Sequence, residues 1–224
     1  TDEAQVNDIK IDNYDTSVGI EVFYNFPSLE SRGSILYVIY GDGRILVYNK
    51  FEIEKGTLPN IPKVGISMQI PKEFDAMTWF GRGPHENYLD RKSSAKVDIY
   101  SGKVSDQIHP YIRPQESGNK TDVRWATFRN VDGDGLLVRG LLSLNASHYL
   151  QEDYDHGFGE MKSGVTGNIK TTKQQRHSID MVERDLINLD IDLVQMGLGG
   201  EDSWWAQPLE KYQIKPKNYD YSFT

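Results

Sequence analysis

Ile187-Asn188-Leu189-Asp190-Ile191-Asp192-Leu193 alternates apolar and polar residues without a break over seven positions. Successive side chains of a strand point to opposite faces, so this period of two predicts a half-buried β-strand. Tyr219-Asp220-Tyr221-Ser222-Phe223 alternates in the same way and is expected to close the domain as a last strand. Ile20-Glu21-Val22-Phe23-Tyr24 is rich in β-formers and partly alternating.

Two pairs of β-rich runs flank turn residues and predict hairpins. Ile35 to Tyr40 and Ile45 to Tyr48 bracket Gly41-Asp42-Gly43-Arg44. Arg124 to Arg129 and Leu136 to Gly140 bracket Val131-Asp132-Gly133-Asp134-Gly135. Helical periodicity is weak along the whole chain, and 20 Gly and 9 Pro fall at strand-and-turn spacing. With no linker, low-complexity tract or repeat, residues 1–224 read as one all-β domain.

Composition narrows the function classes. The 224 residues carry 33 acidic and 25 basic side chains, a formal net charge of -8. That excess repels phosphate backbones, and no basic run offsets it, so nucleic acid is not an expected partner. Mean hydropathy is -0.59, and no apolar run approaches the ~20 residues of a membrane helix, so no membrane partner is expected. With no cysteine, thiolate metal sites, cysteine nucleophiles and disulfides are excluded. Compartment stays open between a reducing cytoplasm and a bacterial periplasm. Thr1 to Gln5 has no basic-then-apolar signal pattern. A start without Met fits a chain trimmed from a longer parent.

Gly81 to Gly118 reads as a long, irregular, polar and aromatic segment holding Pro84, Pro110 and Pro114. Long loops in compact domains carry function or cover other elements. Within it, His85 and Glu86 could do acid/base work. In the alternative, His85, Glu86, Asp90 and Arg91 hydrogen-bond the loop to itself. Pro114-Gln115-Glu116-Ser117-Gly118 with Arg124-Trp125 reads as a turn before a strand with a buried Trp125. Asp132 to Gly135 lacks the remaining ligands of a calcium loop and reads as a hairpin turn. His148, His156 and His177 do not fall at the spacing of a helical two-His metal motif. Asp153, Asp155 and His156 are explained by a solvated loop as well as by a metal. Asn145-Ala146-Ser147 matches a glycosylation sequon by pattern alone, inside an expected strand. In Met196-Gly197-Leu198-Gly199-Gly200-Glu201-Asp202-Ser203-Trp204-Trp205, glycines permit a tight excursion that places two indoles on a loop. An indole face stacks well on the C–H face of a sugar ring; the other reading makes both Trp core anchors.

Three strings resemble, in this order, motifs of family 2 β-galactosidases: Trp79 to Arg91, Pro114 to Gly118 and Met196 to Trp204. Gly-Pro-x-Glu-Asn-Tyr-x-Asp-Arg (Gly83 to Arg91) and Met-Gly-x-Gly-Gly-x-Asp-Ser-Trp (Met196 to Trp204) are long and specific. The chain is similar to the C-terminal, small-chain domain of those enzymes from about Pro62 onward, and more weakly before it.

The resemblance implies an antiparallel β-supersandwich of galactose-mutarotase type, continued on its N-terminal side beyond this chain. It implies a parent that hydrolyses terminal β-D-galactosides with retention, through two Glu residues on a separate TIM barrel. No Glu here matches either barrel motif, so the chain is expected to hold no catalytic residue and to be inactive alone. Its contribution would be to substrate binding. Trp204 would stack on the sugar in the initial binding mode, flanked by Asp202, Ser203 and Trp205, the last standing where a small residue is expected. Mg²⁺ and Na⁺ are implied for the parent, bound outside this chain. Implied partners are the galactoside, the parent's other domains and a homo-oligomer formed through the parent. Two other readings remain: an aldose-1-epimerase, which shares the architecture and would use one of His85, His109, His148, His156 or His177 with a Glu but has no mutarotase motif here, and a non-catalytic carbohydrate-binding or assembly module.

Overall fold

A computed structural model describes residues 4–54, 58–112, 114–155, 177–200 and 206–224. Its strands are β1 (Gln5–Asn13), β2 (Ser17–Phe26), β3 (Ser31–Tyr40), β4 (Ile45–Ile53), β5 (Lys63–Ile70), β6 (Ala76–Gly83), β7 (Lys96–Lys103), β8 (Lys120–Arg129), β9 (Gly135–Ser147), β10 (Ile187–Gln195) and β11 (Tyr219–Phe223). One short helix, α1 (Gln151–Asp155), follows β9. The strands form a five-stranded sheet, β1-β2-β3-β4-β11, and a six-stranded sheet, β5-β10-β9-β8-β6-β7. Every pairing between these strands is antiparallel. The expected all-β architecture is therefore the observed one.

Both hairpins form where the sequence places them. In the first, Tyr40 N–H donates to Arg44 O (2.9 Å), and Gly43 takes φ +88°, a value that favours glycine. In the second, Asn130 Oδ1 accepts from the N–H groups of Asp132 and Asp134, both at 3.0 Å. That side-chain turn explains the Asp-Gly-Asp-Gly string without a metal. β11 adds to β4 and places Phe223 opposite Val47.

The core lies between the sheets. Leu189 and Ile191 of β10 pair with Ala146 and Leu144 of β9. With Val123, Ala126, Phe128, Met77 and Trp79 they pack against Val47 and Phe223 of the smaller sheet. A trough of about 610 Å³ lies between the sheets, lined on one side by Val22, Tyr24, Ile35 and Tyr37 and on the other by Ile66 and Met68. β1 lies along this opening, exposed over its whole length, and its pairing runs to β2.

Four expectations need correction. β10 is not half-buried: its polar side is buried too, with Asp190 4% and Asp192 2% exposed. Polar residues of β9 lie beside them in register, Asn145 opposite Asp190 and Ser143 opposite Asp192. A loop then covers this layer, with Asn119 Oδ1 accepting from Ser143 Oγ (2.8 Å). Second, Gly81 to Gly118 is not irregular throughout. It contains the end of β6 and all of β7, an edge strand whose Val97 and Ile99 stay exposed. Third, Trp125 is half-buried, packed at 6.4 Å between ring centroids on Phe80. Fourth, Asp153 is not part of a solvated loop: it is buried in α1 and takes Arg184 Nε at 2.7 Å.

Candidate functional site

The three strings singled out in sequence meet in space. The first is the loop after β6, which begins with the cis Gly83–Pro84 peptide. Asn87, fully buried, ties this loop to the start of β8. Its Oδ1 accepts from Thr121 N–H (2.8 Å) and Thr121 Oγ1 (2.6 Å). Its backbone exchanges bonds with Asn119, whose O accepts from Asn87 N–H (2.8 Å) and whose Nδ2 donates to Asn87 O (2.8 Å).

Glu86 is the hub between the first string and the second. Its carboxylate accepts from Arg91 Nη2 (2.8 Å), Gly118 N–H (2.9 Å), Tyr88 Oη (3.4 Å) and Tyr111 Oη. Burial alone would raise its pKa. The hydrogen bonds from Tyr111 and Gly118 and the charge of Arg91 outweigh that and hold the carboxyl below the usual glutamate range. Gly118 sits at φ +89°, and a Cβ there would lie 2.6 Å from Gln107 O, so only glycine fits. Glu86→Gln removes the charge that orders Arg91 and Tyr111. We expect it to destabilise the domain by about 1–2 kcal/mol near pH 7. A depressed carboxylate stabilises above its unfolded pKa and loses that contribution as pH falls through the folded one. The gap between wild type and Glu86→Gln in urea midpoint should therefore begin to narrow as pH falls below about 4.3, the unfolded value, and close once pH has passed the lower folded one.

The third string is the glycine loop after β10. Met196 N–H donates to Pro62 O (2.8 Å) and Gly197 N–H to Tyr212 O (2.9 Å). Gly199 N–H donates to Asp90 Oδ2 (2.8 Å), which joins the third string to the first across 109 residues of sequence. Gly199 and Gly200 take φ +64° and +80°, as the tight excursion requires. Asp202, Ser203, Trp204 and Trp205 lie outside the described residues, as do Glu201 and His156.

Beside this face lies a partly buried ionic cluster whose long-range pairing no local pattern in the sequence signals. Lys63 Nζ donates to Asp190 Oδ2 (2.8 Å) and Glu116 (3.4 Å), and Ser67 Oγ donates to Asp190 Oδ1. Burial opposes the charge on Lys63, but Glu116, Asp190 and Asp192 outweigh it and raise its pKa. Asp192 has no such direct partner. Its Oδ2 makes no hydrogen bond among the described residues, and burial pushes its carboxyl up to about 8.

The acid/base reading of His85 and Glu86 does not match their contacts. His85 pairs with Ser94 Oγ (3.0 Å), while Glu86 is consumed by the hub. His148 is 1% exposed between Leu186 O (2.7 Å) and Asp75 (3.1 Å), and His109 packs on Tyr111. His177 N–H donates to Asp180 Oδ2 (3.0 Å) at the start of a 3₁₀ turn. Asn145 is 4% exposed inside β9, which leaves its sequon no room for a glycan. Among the described residues no three His, Asp or Glu side chains gather as a metal site.

The description Beta galactosidase small chain belongs to the family model that matches residues 1–224. A beta-galactosidase of Priestia megaterium is 37% identical over 196 residues, covering 85% of this chain and 17% of that protein. One of Vibrio cholerae is 30% identical over 224 residues, covering 99% of this chain and 20% of that protein. One of Pseudoalteromonas haloplanktis is 32% identical over 197 residues, covering 88% and 17%. The chain thus spans about a fifth of the length of these curated relatives.

Proposed function

The chain belongs to the beta-galactosidase small-chain family, and from that premise we propose that it is the sugar-stacking wall of a retaining β-galactosidase. Trp204 lays its indole on the C–H face of the galactosyl ring as the substrate first binds. Asp202, Ser203 and Trp205 flank it. The acid/base and nucleophile carboxylates stand on a separate barrel of the parent, ~5–5.5 Å apart. Mg²⁺ and Na⁺ are held outside this chain, and the chain alone does not hydrolyse galactosides.

One observation carries this reading. The Gly83–Arg91 and Met196–Gly200 strings, far apart in sequence, are clamped together at Asp90 and Gly199, directly before the residues that bear Trp204. The contacts of Glu86 and Glu116, carboxylates of the first two strings, support a binding role. Glu86 is engaged by Arg91, Tyr111 and Gly118, and Glu116 by Lys63 and Gln195. The other parent domains pack over the apolar trough between the two sheets, a surface whose burial supplies the drive for association.

The test is Trp204→Ala in the full-length parent enzyme. Loss of a stacked indole should raise KM for an aryl β-galactoside about tenfold, roughly 1.4 kcal/mol, with kcat little changed. A KM within twofold of wild type would remove Trp204 from the site. Hydrolysis by the small-chain domain alone would overturn the divided active site.

A further inference from the structure

Part of the outer face of the six-stranded sheet carries an apolar, cationic surface. Residues directly opposite each other in an antiparallel ladder share a face. Met77, Trp79, Ala126, Phe128 and Val138 point into the core, so their neighbours along β6, β8 and β9 point away from it. The register then assembles the outer rows across four strands. Ile99, Phe80, Trp125 and Arg139 form one row. Ser101, Thr78, Thr127 and Leu137 form the next, and Lys103, Ala76 and Arg129 the one after. Val97 and Leu141 flank the first row on its other side.

The centre of this surface is apolar. Phe80 and Trp125 pack with ring centroids 6.4 Å apart, and Ile99 and Leu141 beside them are 59% and 69% exposed. Scattered exposed apolar residues are ordinary, whereas a contiguous patch across several strands marks a binding surface. The charge is one-sided as well. No Asp or Glu stands in these rows, and Asp132 and Asp134 lie beyond their end, in the β8–β9 turn. Arg82, opposite Val97, is neutralised by Asp122 (2.5 Å). Lys103, Arg124, Arg129 and Arg139 have no carboxylate partner among the described residues. Arg124 lies instead over the Phe80 ring at 5.5 Å. A chain of formal charge -8 thus gathers unpaired cations around an uncovered apolar sheet face. Trp and Arg are the residues that dominate protein interfaces, and unpaired cations at the edge of one select an acidic partner.

We propose that this face docks an acidic surface of another domain of the parent chain, with Trp125 at the centre of the contact and Arg124, Arg129 and Arg139 paired to carboxylates around it. The proposal rests on the reading of this chain as part of a longer β-galactosidase. It spans about a fifth of its curated relatives, and the remaining length supplies a tethered partner at high effective concentration, which a second copy does not have. The face lies across the six-stranded sheet from the trough, so the two surfaces meet different parts of the parent.

Thiol labelling of the full-length parent enzyme tests this, because the 224 residues carry no cysteine of their own. Ile99→Cys puts a thiol inside the contact. Val131→Cys, at a fully exposed hairpin tip, puts one outside it. Alkylation by iodoacetamide, read by peptide mass spectrometry, should be about tenfold slower at position 99 than at position 131. Arg129→Glu/Arg139→Glu should bring the two rates within about twofold, and Arg129→Lys/Arg139→Lys should keep the protection. Leu141→Cys repeats the measurement if Ile99→Cys disturbs the edge strand. Equal rates before charge reversal overturn the docking face. Protection that survives charge reversal overturns the acidic chemistry, and protection that grows with protein concentration replaces the tethered domain by a second copy. Wild-type hydrolysis of an aryl β-galactoside is read alongside. Its absence sinks the β-galactosidase reading, whereas its presence with equal labelling rates sinks this face alone.

Discussion

Asp192→Asn is expected to stabilise the domain by roughly 2–4 kcal/mol at pH 7.5, an unusual sign for a substitution at a position 2% exposed. The carboxyl sits against Gly65, where a Cβ would lie 1.7 Å from Oδ1. Its other oxygen has no hydrogen bond among the described residues. Lys63, the nearest cation, is committed to Asp190 and Glu116. Burial therefore dominates, and the folded state keeps the proton up to about pH 8, while the unfolded chain releases it near 4. Between those values the native state binds more protons than the unfolded one, so stability falls as pH rises, by up to about 1.4 kcal/mol per pH unit from this group. Asn carries no proton to hold and should abolish that slope. Urea midpoints of both proteins from pH 5 to 8.5 measure it. A variant less stable than wild type at pH 7.5, with an unchanged slope, would mean that Asp192 is an ionised partner of Lys63.

Trp79→Ala should cost about 3–5 kcal/mol in the same unfolding assay, the usual toll of emptying a large buried aromatic position. Trp79 is 1% exposed and packs on Tyr100 with ring centroids 5.4 Å apart and planes tilted by 33°. Its Nε1–H donates to Arg82 O (3.0 Å). The ring also faces Lys120 Nζ at 5.3 Å, an ammonium whose burial lowers its pKa to about 8 and whose hydrogen bond goes to Gly118 O (2.8 Å). Truncation leaves a cavity, strips the lysine of its aromatic face and loosens the Gly118 corner on which Glu86 depends. A loss below about 1.5 kcal/mol would show that the neighbouring rings collapse into the space.

The strands that the sequence reveals share a property: each follows its own alternation or is tied to a short turn. β10, β11 and the hairpins β3–β4 and β8–β9 are of this kind. The missed strands lack it. β1, β5 and β7 are edges whose apolar residues stay partly exposed, and β6 runs into an irregular loop at Gly83-Pro84. Val97-Asp98-Ile99 does alternate and was a usable signal for β7, masked by its polar, proline-bearing surroundings.

The candidate site divides in the same way. Glu86, Asp90 and Arg91 are visible as a cluster because they lie within six residues, and their role in tying the loop to itself could be read there. Lys63 gives no local sign of pairing with Asp190, 127 residues away.

From the sequence alone come the all-β class, the two hairpins, the alternation of β10 and the three motif strings that mark the family. These are local patterns, set by side-chain period and turn chemistry over a few residues. Only the tertiary structure decides that the polar side of β10 is buried, that this burial pushes the Asp192 carboxyl up, and that Asp90 reaches Gly199. Each depends on which distant segment lies over the six-stranded sheet and removes water from it. Long-range packing sets that desolvation, and no local period in the chain encodes it.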